Sequence, residues 1–370
     1  MSPEFVIALT AALAACACAL AGVFLVLRRM ALMADAISHA ILPGLVAGYW
    51  MARGPNVVAG FLGATAAGLL TVWLTEALTR SRRVKEDTAI GLVFPALFAL
   101  GVLLVSRFFS NVHLDTDAVL FGEIAFAPLE TWRIGGRDLG PTALWTLGGL
   151  TALNAGFLAL FYKELKLSTF DPGLAAALGF APVLLHYGLM GMVAVTTVGG
   201  FTAVGAILVI ALIIVPPVTA SLLTDRLPAL VALSVAVGVA GALAGYGLAA
   251  FWDVSIGGMI VTVLGALFGA TLLLAPRKGL VAQAVRRARQ RRQFAREALL
   301  VHLATHEGTA AEDRECRPAH LQEELLWTAA MADRAVAEAQ SAGLVAPVDA
   351  EGHLHLTDRG REMAAEVSRK

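Results

Sequence analysis

The sequence predicts an all-α polytopic membrane protein of eight or nine transmembrane helices, followed by a small cytoplasmic α+β domain. Two observations predict it. Of 370 residues, 58% are hydrophobic and only 15% charged, and the mean hydropathy of +0.74 lies outside the range of soluble globular chains. The charges are also unevenly spread, with 27 in residues 1–275 and 29 in the 95 residues that follow. A transmembrane region of 1–276, a basic juxtamembrane linker of 277–293 and a soluble domain of 294–370 describe this division. The formal net charge of zero says nothing about partners, because each part nearly balances by itself.

The first apolar run, 5–27, is long enough to cross a hydrocarbon core about 30 Å thick. It does not read as a cleaved leader, because its early charge is Glu4 and the basic pair Arg28-Arg29 follows the run. Positive charge collects on the cytoplasmic side, so the N-terminus is expected outside. Further crossings are expected at 32–51, 56–79, 88–106, 142–162, 183–198, 202–222, 229–250 and 257–275. In that frame Arg80-Ser81-Arg82-Arg83-Val84-Lys85, Lys163, Lys166, Arg226 and Arg277-Lys278 all fall inside. Gly199-Gly200 divide the long run 183–222 into two. The polar outer segment 107–141 holds an amphipathic stretch, 118–126, that either stays outside or dips into the bilayer. Pro216-Pro217 read equally as a bend beside a pore and as a packing kink.

Residues 277–292 hold seven Lys/Arg and no acid. Anchoring at anionic headgroups is the favoured reading, ahead of nucleic-acid contact. Beyond them, apolar periodicity predicts helices at 295–305, 319–326 and 329–341, the last stopped by Gly343. Alternation in 344–347 and 353–356 around the turn 349–352 predicts a hairpin, and Thr357 caps a final helix. This winged-helix-like order resembles part of the metal-dependent repressors of the iron/manganese type. His302 and His306 share one helix face, and Glu312, Cys316, His320, His353 and His355 lie elsewhere in the domain. They are read either as a metal sensor or as core and surface residues. Cys16, Cys18 and Cys316 have no disulfide or metal-ligand spacing.

Asp35 and His39 stand one helical turn apart in the second apolar stretch, about 6 Å along the axis. Ionisable side chains there cost roughly 2.5–3.5 kcal/mol each, which makes them candidates for function. A carboxylate oxygen with a neutral imidazole nitrogen suits borderline divalent ions such as zinc, manganese or iron. Two ligands are too few to hold an ion. A two-fold or pseudo-two-fold partner would supply a second pair. Pro43 removes the hydrogen bond that the carbonyl of His39 would accept, and Gly44 lets a helix or an ion path come close. Read from spacing alone, the pair equally fits a structural contact, since intramembrane ionisable residues often bond to each other.

The stretch Ala34-Asp35-Ala36-Ile37-Ser38-His39-Ala40-Ile41-Leu42-Pro43-Gly44 resembles the signature of permease subunits of the zinc/manganese/iron ABC importers. Three more stretches match in order: Arg83-Val84-Lys85-Glu86-Asp87-Thr88-Ala89-Ile90-Gly91, Leu120-Phe121-Gly122-Glu123-Ile124, and Phe170-Asp171-Pro172 with Ala177-Leu178-Gly179. The resemblance spans about residues 5–275 and implies a type II ABC importer fold in a bacterial cytoplasmic membrane. It implies that Asp35 and His39 line the translocation path, beside a pore kink at Pro43 and Gly44. It also implies that Phe170, Asp171 and Gly179 belong to a coupling helix, for which Asp171 is a cap, Pro172 a first-turn residue and Gly179 a stop.

No Gly-x-x-x-x-Gly-Lys-Ser/Thr sequence occurs, so ATP hydrolysis is assigned to separate cytoplasmic ATP-binding subunits. The other implied partners are a second permease subunit, identical or related, and an extracytoplasmic metal-binding protein. The transported ion is cargo, and no permanently bound cofactor is expected. His113, Asp115, Asp117, Glu123 and Glu130 read as solvated loop charges or, more weakly, as a cation funnel. The alternatives are a membrane-anchored metal-responsive regulator and a proton-driven carrier.

Overall fold

The computed structural model describes residues 2–54, 56–108, 124–134, 137–349 and 351–369. It forms two compact units, Met1–Gly279 and Leu280–Lys370. In the first, the helices are α1 (Pro3–Leu27), α2 (Ala31–Ala40), α3 (Leu42–Met51), α4 (Val57–Arg80), α5 (Glu86–Phe108), α6 (Thr142–Leu160), α7 (Tyr162–Phe170), α8 (Pro172–Ala177), α9 (Pro182–Val204), α10 (Ala206–Leu223), α11 (Leu227–Trp252) and α12 (Ile256–Leu274). Among the described residues there are nine spans long and apolar enough to cross a membrane, with α2 and α3 together making one of them. Their starts carry caps that the sequence supplies. Ser2 Oγ accepts from Phe5 N ahead of Pro3, and the Asn56 side chain accepts from Ala59 N at 3.0 Å.

Helix α1 is the hub, packed by α6, α9, α10 and α11. Its alanines 11, 14, 15, 17, 19 and 21 are buried, and small residues are what let helix backbones approach in a bilayer. The closest approach is at Gly22, where a Cβ would fall 1.9 Å from the carbonyl oxygen of Ile213 on α10. Asn154 of α6 is fully buried and donates from Nδ2 to Ala17 O at 2.8 Å and Thr196 Oγ1 at 2.9 Å, tying α6 to α1 and α9. Gly22→Leu is therefore expected to prevent assembly, because it must move backbone rather than a flexible tip. The strain exceeds the roughly 1–3 kcal/mol of ordinary overpacking. Loss of the monodisperse peak in detergent size-exclusion checks this, and unchanged elution and melting would contradict it.

The helix break expected at Gly199-Gly200 lies instead at Gly205, which adopts φ +88° and ends α9. Gly199 and Gly200 are packing glycines inside that helix, facing Leu150 and Val209, where a Cβ would come within 2.8 and 2.9 Å. The outer segment contains a hairpin that the sequence reading left irregular. Its strands β1 (Thr131–Ile134) and β2 (Arg137–Pro141) run antiparallel, with Thr131 opposite Pro141 and Arg133 opposite Asp138 across a bulge.

The second unit comprises α13 (Leu280–His306), α14 (Glu312–Glu315), α15 (His320–Glu324), α16 (Ala329–Ser341) and α17 (Asp358–Ser368). Its core gathers Leu299, Leu300, Leu303, Leu321, Leu344 and Leu354. The basic stretch and the apolar helix after it form one continuous element, α13. Gly343, at φ +67°, ends α16. The expected hairpin carries one antiparallel bridge, Val345 with Leu356, with Ala346 N to His355 O at 2.8 Å and Thr357 N to Leu344 O at 3.1 Å beside it, and Asp349 N to His353 O at 3.2 Å at the turn. Leu354 N turns away to Cys316 O at 2.8 Å, so the second arm divides its pairing between two neighbours.

Candidate functional site

Helix α2 starts after a tight turn in which Arg29 adopts φ +63°, and stops at Ile41. Pro43 occupies the first turn of α3, so the polypeptide breaks here because a proline ring cannot continue the hydrogen-bond ladder. Helix α5 rides over the break. At Gly101 a Cβ would come within 2.9 Å of both Leu42 and Pro43. Gly44 meets α4 reciprocally: a Cβ on Gly44 would lie 2.1 Å from Gly63 O, and one on Gly63 would lie 2.1 Å from Gly44 O. Both residues of the expected kink thus sit at helix crossings, and the close approach that Gly44 permits is to another helix.

On α2, Met33, Ala34, Ala36, Ile37, Ser38 and Ala40 are buried. Leu32, Asp35 and His39, at spacings of three and four, form the open stripe. His39 Nε2 lies 3.4 Å from Asp35 Oδ1, and the two side chains remain 38% and 41% exposed in the single chain. One side of the imidazole packs against Phe94 at 5.9 Å and, nearly perpendicular, Phe98 at 6.5 Å. The side chain is otherwise part-exposed. The pair offers one carboxylate and one ring nitrogen toward whatever lies beyond the stripe, with the aromatic rings fixing the imidazole's orientation.

A second ionisable centre escaped the sequence reading. Arg28, at the end of α1, donates from Nε to Thr169 Oγ1 at 3.1 Å, from Nη2 to Ser168 Oγ at 2.9 Å and from Nη1 to His186 Nδ1 at 3.1 Å. Because arginine only donates, His186 Nδ1 accepts, which leaves Nε2 as its protonated nitrogen. That nitrogen faces Glu76 Oε1. Glu76 Oε2 accepts from the Tyr187 hydroxyl at 2.6 Å and from Arg80 at 3.3 Å. The network joins α1, α4, α7 and α9 at helix ends that the positive-inside frame assigns to one side. Glu76 and His186 carry the same signal as Asp35 and His39, an ionisable group in an apolar run.

Three residues beyond Thr169, the chain forms α8. Asp171 Oδ1 accepts from Leu174 N at 2.8 Å, Pro172 takes the first helical position, and Gly179 ends the turn at φ +86°. Phe180 N returns to Ala175 O at 3.1 Å, closing the C-terminus. Phe170, Leu174, Leu178 and Phe180 are exposed apolar residues around this one short helix. At the same end of the bundle, Lys278 Nζ donates to Ser221 O at 2.8 Å and pairs with Asp225. The lysine's hydrogen bond and charge hold the Asp225 carboxyl below its ordinary range.

His113, Asp115, Asp117 and Glu123 lie outside the described residues, so the expected outer cation funnel is represented only by Glu130, in the turn before β1. The matched stretch 120–124 is described only at Ile124, which is buried against the core.

The family model described as the ABC 3 transport family matches residues 4–275. The zinc transport system membrane protein TroD of Treponema pallidum (strain Nichols) is 45% identical over 339 residues, covering 92% of this chain and 92% of TroD. That alignment is longer than the membrane unit, so the likeness runs into the C-terminal unit. The manganese transport system membrane protein MntD of Bacillus subtilis (strain 168) is 44% identical over 286 residues, 77% of this chain and 97% of MntD. Among solved structures, PsaBC from Streptococcus pneumoniae in complex with Fab superposes with a TM-score of 0.62 at 28% identity, covering 75% of this chain and 94% of that chain. A match over nearly the whole membrane unit, together with relatives above 40% identity, fixes the assignment: the chain belongs to the ABC 3 transport family.

Proposed function

We propose that the chain is the membrane-spanning subunit of an ATP-driven importer of divalent transition metal ions, manganese, zinc or iron. The observation that carries this reading is a carboxylate and an imidazole 3.4 Å apart on the open face of a broken membrane helix. Relatives named as zinc and manganese transport system membrane proteins support the cargo class. Carboxylate and imidazole together select borderline divalent ions over potassium or calcium. Two ligands from this chain and two from a second permease make an incomplete shell, which binds weakly enough to release.

An extracytoplasmic metal-binding protein delivers the ion, and separate ATP-binding subunits engage α8 from the cytoplasm. Arg28 is placed to link α8 to the pair on α2, since it bonds to the residues leading into α8 and lies three residues before α2. The C-terminal unit is read as a winged-helix-like domain on the cytoplasmic side. The match of nearly the whole membrane unit to a transport family favours transport over a membrane-anchored regulator.

The test is uptake of manganese, zinc and iron by the complex reconstituted with its ATPase subunits in sealed vesicles. Accumulation of at least one of these ions only with ATP is expected. Accumulation driven by a proton gradient, without the ATPase, would overturn the reading.

A further inference from the structure

The C-terminal unit, Leu280–Lys370, lies wholly outside the family match at residues 4–275, yet it holds five of the chain's eight histidines. Two of them, with Asp349, converge on one point. Asp349, His353 and His355 each present a ligand atom, all within 4.8 Å of one another. Asp349 Oδ2 is 3.0 Å from His355 Nε2 and 3.5 Å from His353 Nδ1. Ligands bound about 2.05 Å from a tetrahedral zinc are separated by about 3.3 Å, so both spacings are those of atoms sharing one ion.

The turn is built to present that oxygen. Asp349 Oδ1 accepts from His353 N at 2.7 Å and Glu351 N at 3.0 Å. One carboxylate oxygen therefore holds the turn and leaves the other for a ligand.

The far nitrogens of both rings face carboxylates. His355 Nδ1 lies 3.7 Å from Glu312 Oε1, and His353 Nε2 lies 3.7 Å from Asp313 Oδ1. Metal-bound histidines characteristically have such a group behind them, which fixes the ring and raises its basicity. The His353 side chain is only 6% exposed, and its Nε2 makes no hydrogen bond.

We propose that Asp349, His353 and His355 form a binding site for a divalent transition metal ion, separate from the transport path, with Glu351 or water completing the shell. Glu351 Oε2 stands 3.9 Å from His353 Nδ1. The ion is of the same borderline class that suits Asp35 and His39. The C-terminal unit thereby holds a resident metal, independent of whether the membrane unit carries one.

The test is equilibrium dialysis of the full-length chain in detergent against micromolar zinc, with bound metal counted by mass spectrometry. His355→Gln, at a half-exposed position, is expected to bind one zinc fewer per chain than wild type. Asp349→Asn keeps the Oδ1 acceptor that holds the turn and replaces only the outer oxygen. It is expected to bind this zinc at least 10-fold more weakly while melting unchanged in the absence of metal. Asp35→Ala is expected to retain this zinc, which separates the site from the transport path. A full complement of zinc in both His355→Gln and Asp349→Asn would overturn the proposal, whatever the uptake assay gives.

Discussion

Leu174→Asp is expected to abolish ATP-driven uptake while leaving the chain folded and able to bind metal. Helix α8 has six residues, too few to be stable alone, so it persists because Asp171 caps its start and Gly179 closes its end. Neither device involves the open face. Leu174 and Leu178 stand one turn apart on α8, flanked by Phe170 and Phe180, and all four are exposed. An apolar anchor in an interface contributes about 2 kcal/mol or more, and a carboxylate forced into its place adds desolvation. Association with the ATPase subunits should weaken about 30-fold or more. Co-purification of those subunits, and ATP hydrolysis by the complex, measure it. Normal co-purification and hydrolysis would remove α8 from the coupling path.

Glu76→Ala should give a large loss of stability in a chain that still assembles. The Glu76 and His186 side chains are only 15% and 17% exposed. Removing the carboxylate takes the partner from His186 Nε2 and from the Tyr187 hydroxyl, and weakens the hold on Arg28. Breaking a buried pair on one side costs about 3 kcal/mol or more, which corresponds to a fall in melting temperature on the order of 5–10 °C. Glu76→Gln keeps an acceptor for Tyr187 and should lose less. Melting followed by fluorescence-detected size-exclusion distinguishes these outcomes. A wild-type melting curve for Glu76→Ala would show that the network adds nothing.

Much of the membrane unit was legible because it depends on local pattern. Run length gave the ends of the nine spans to within two residues, except at the boundary between α9 and α10, expected at 198–202 and found at 204–206. Pro43 marked the break between α2 and α3, and Asp171, Pro172 and Gly179 marked both ends of α8. What the sequence hid depends on distant partners. Arg28, Glu76, Ser168 and His186 lie up to 158 residues apart, and no periodicity joins them. Glycine was ambiguous for the same reason. Gly199 and Gly200 face side chains of α6 and α10, whereas Gly205 carries the positive φ, and nothing local separates a packing glycine from a breaking one. In the C-terminal unit the alternation of 353–356 read as a strand, but Leu354 pairs with Cys316, a neighbour that alternation cannot identify. Asp35 and His39 were legible as a pair. Their open stripe was not, since it depends on which sides of α2 are covered by α4, α5 and α9.

The most direct test is the initial rate of ATP-driven manganese and zinc uptake by reconstituted complexes containing wild-type, Asp35→Ala or His39→Ala chains, with ATP hydrolysis followed in parallel. Even groups one step removed from a metal typically change affinity or activity 10–100-fold, so loss of a direct ligand should cut uptake roughly 100-fold or more. Assembly and basal hydrolysis should persist, because both side chains are more than a third exposed in the single chain. Wild-type uptake by both variants would contradict the account, since the ion would then cross without the one carboxylate and one imidazole assigned to it.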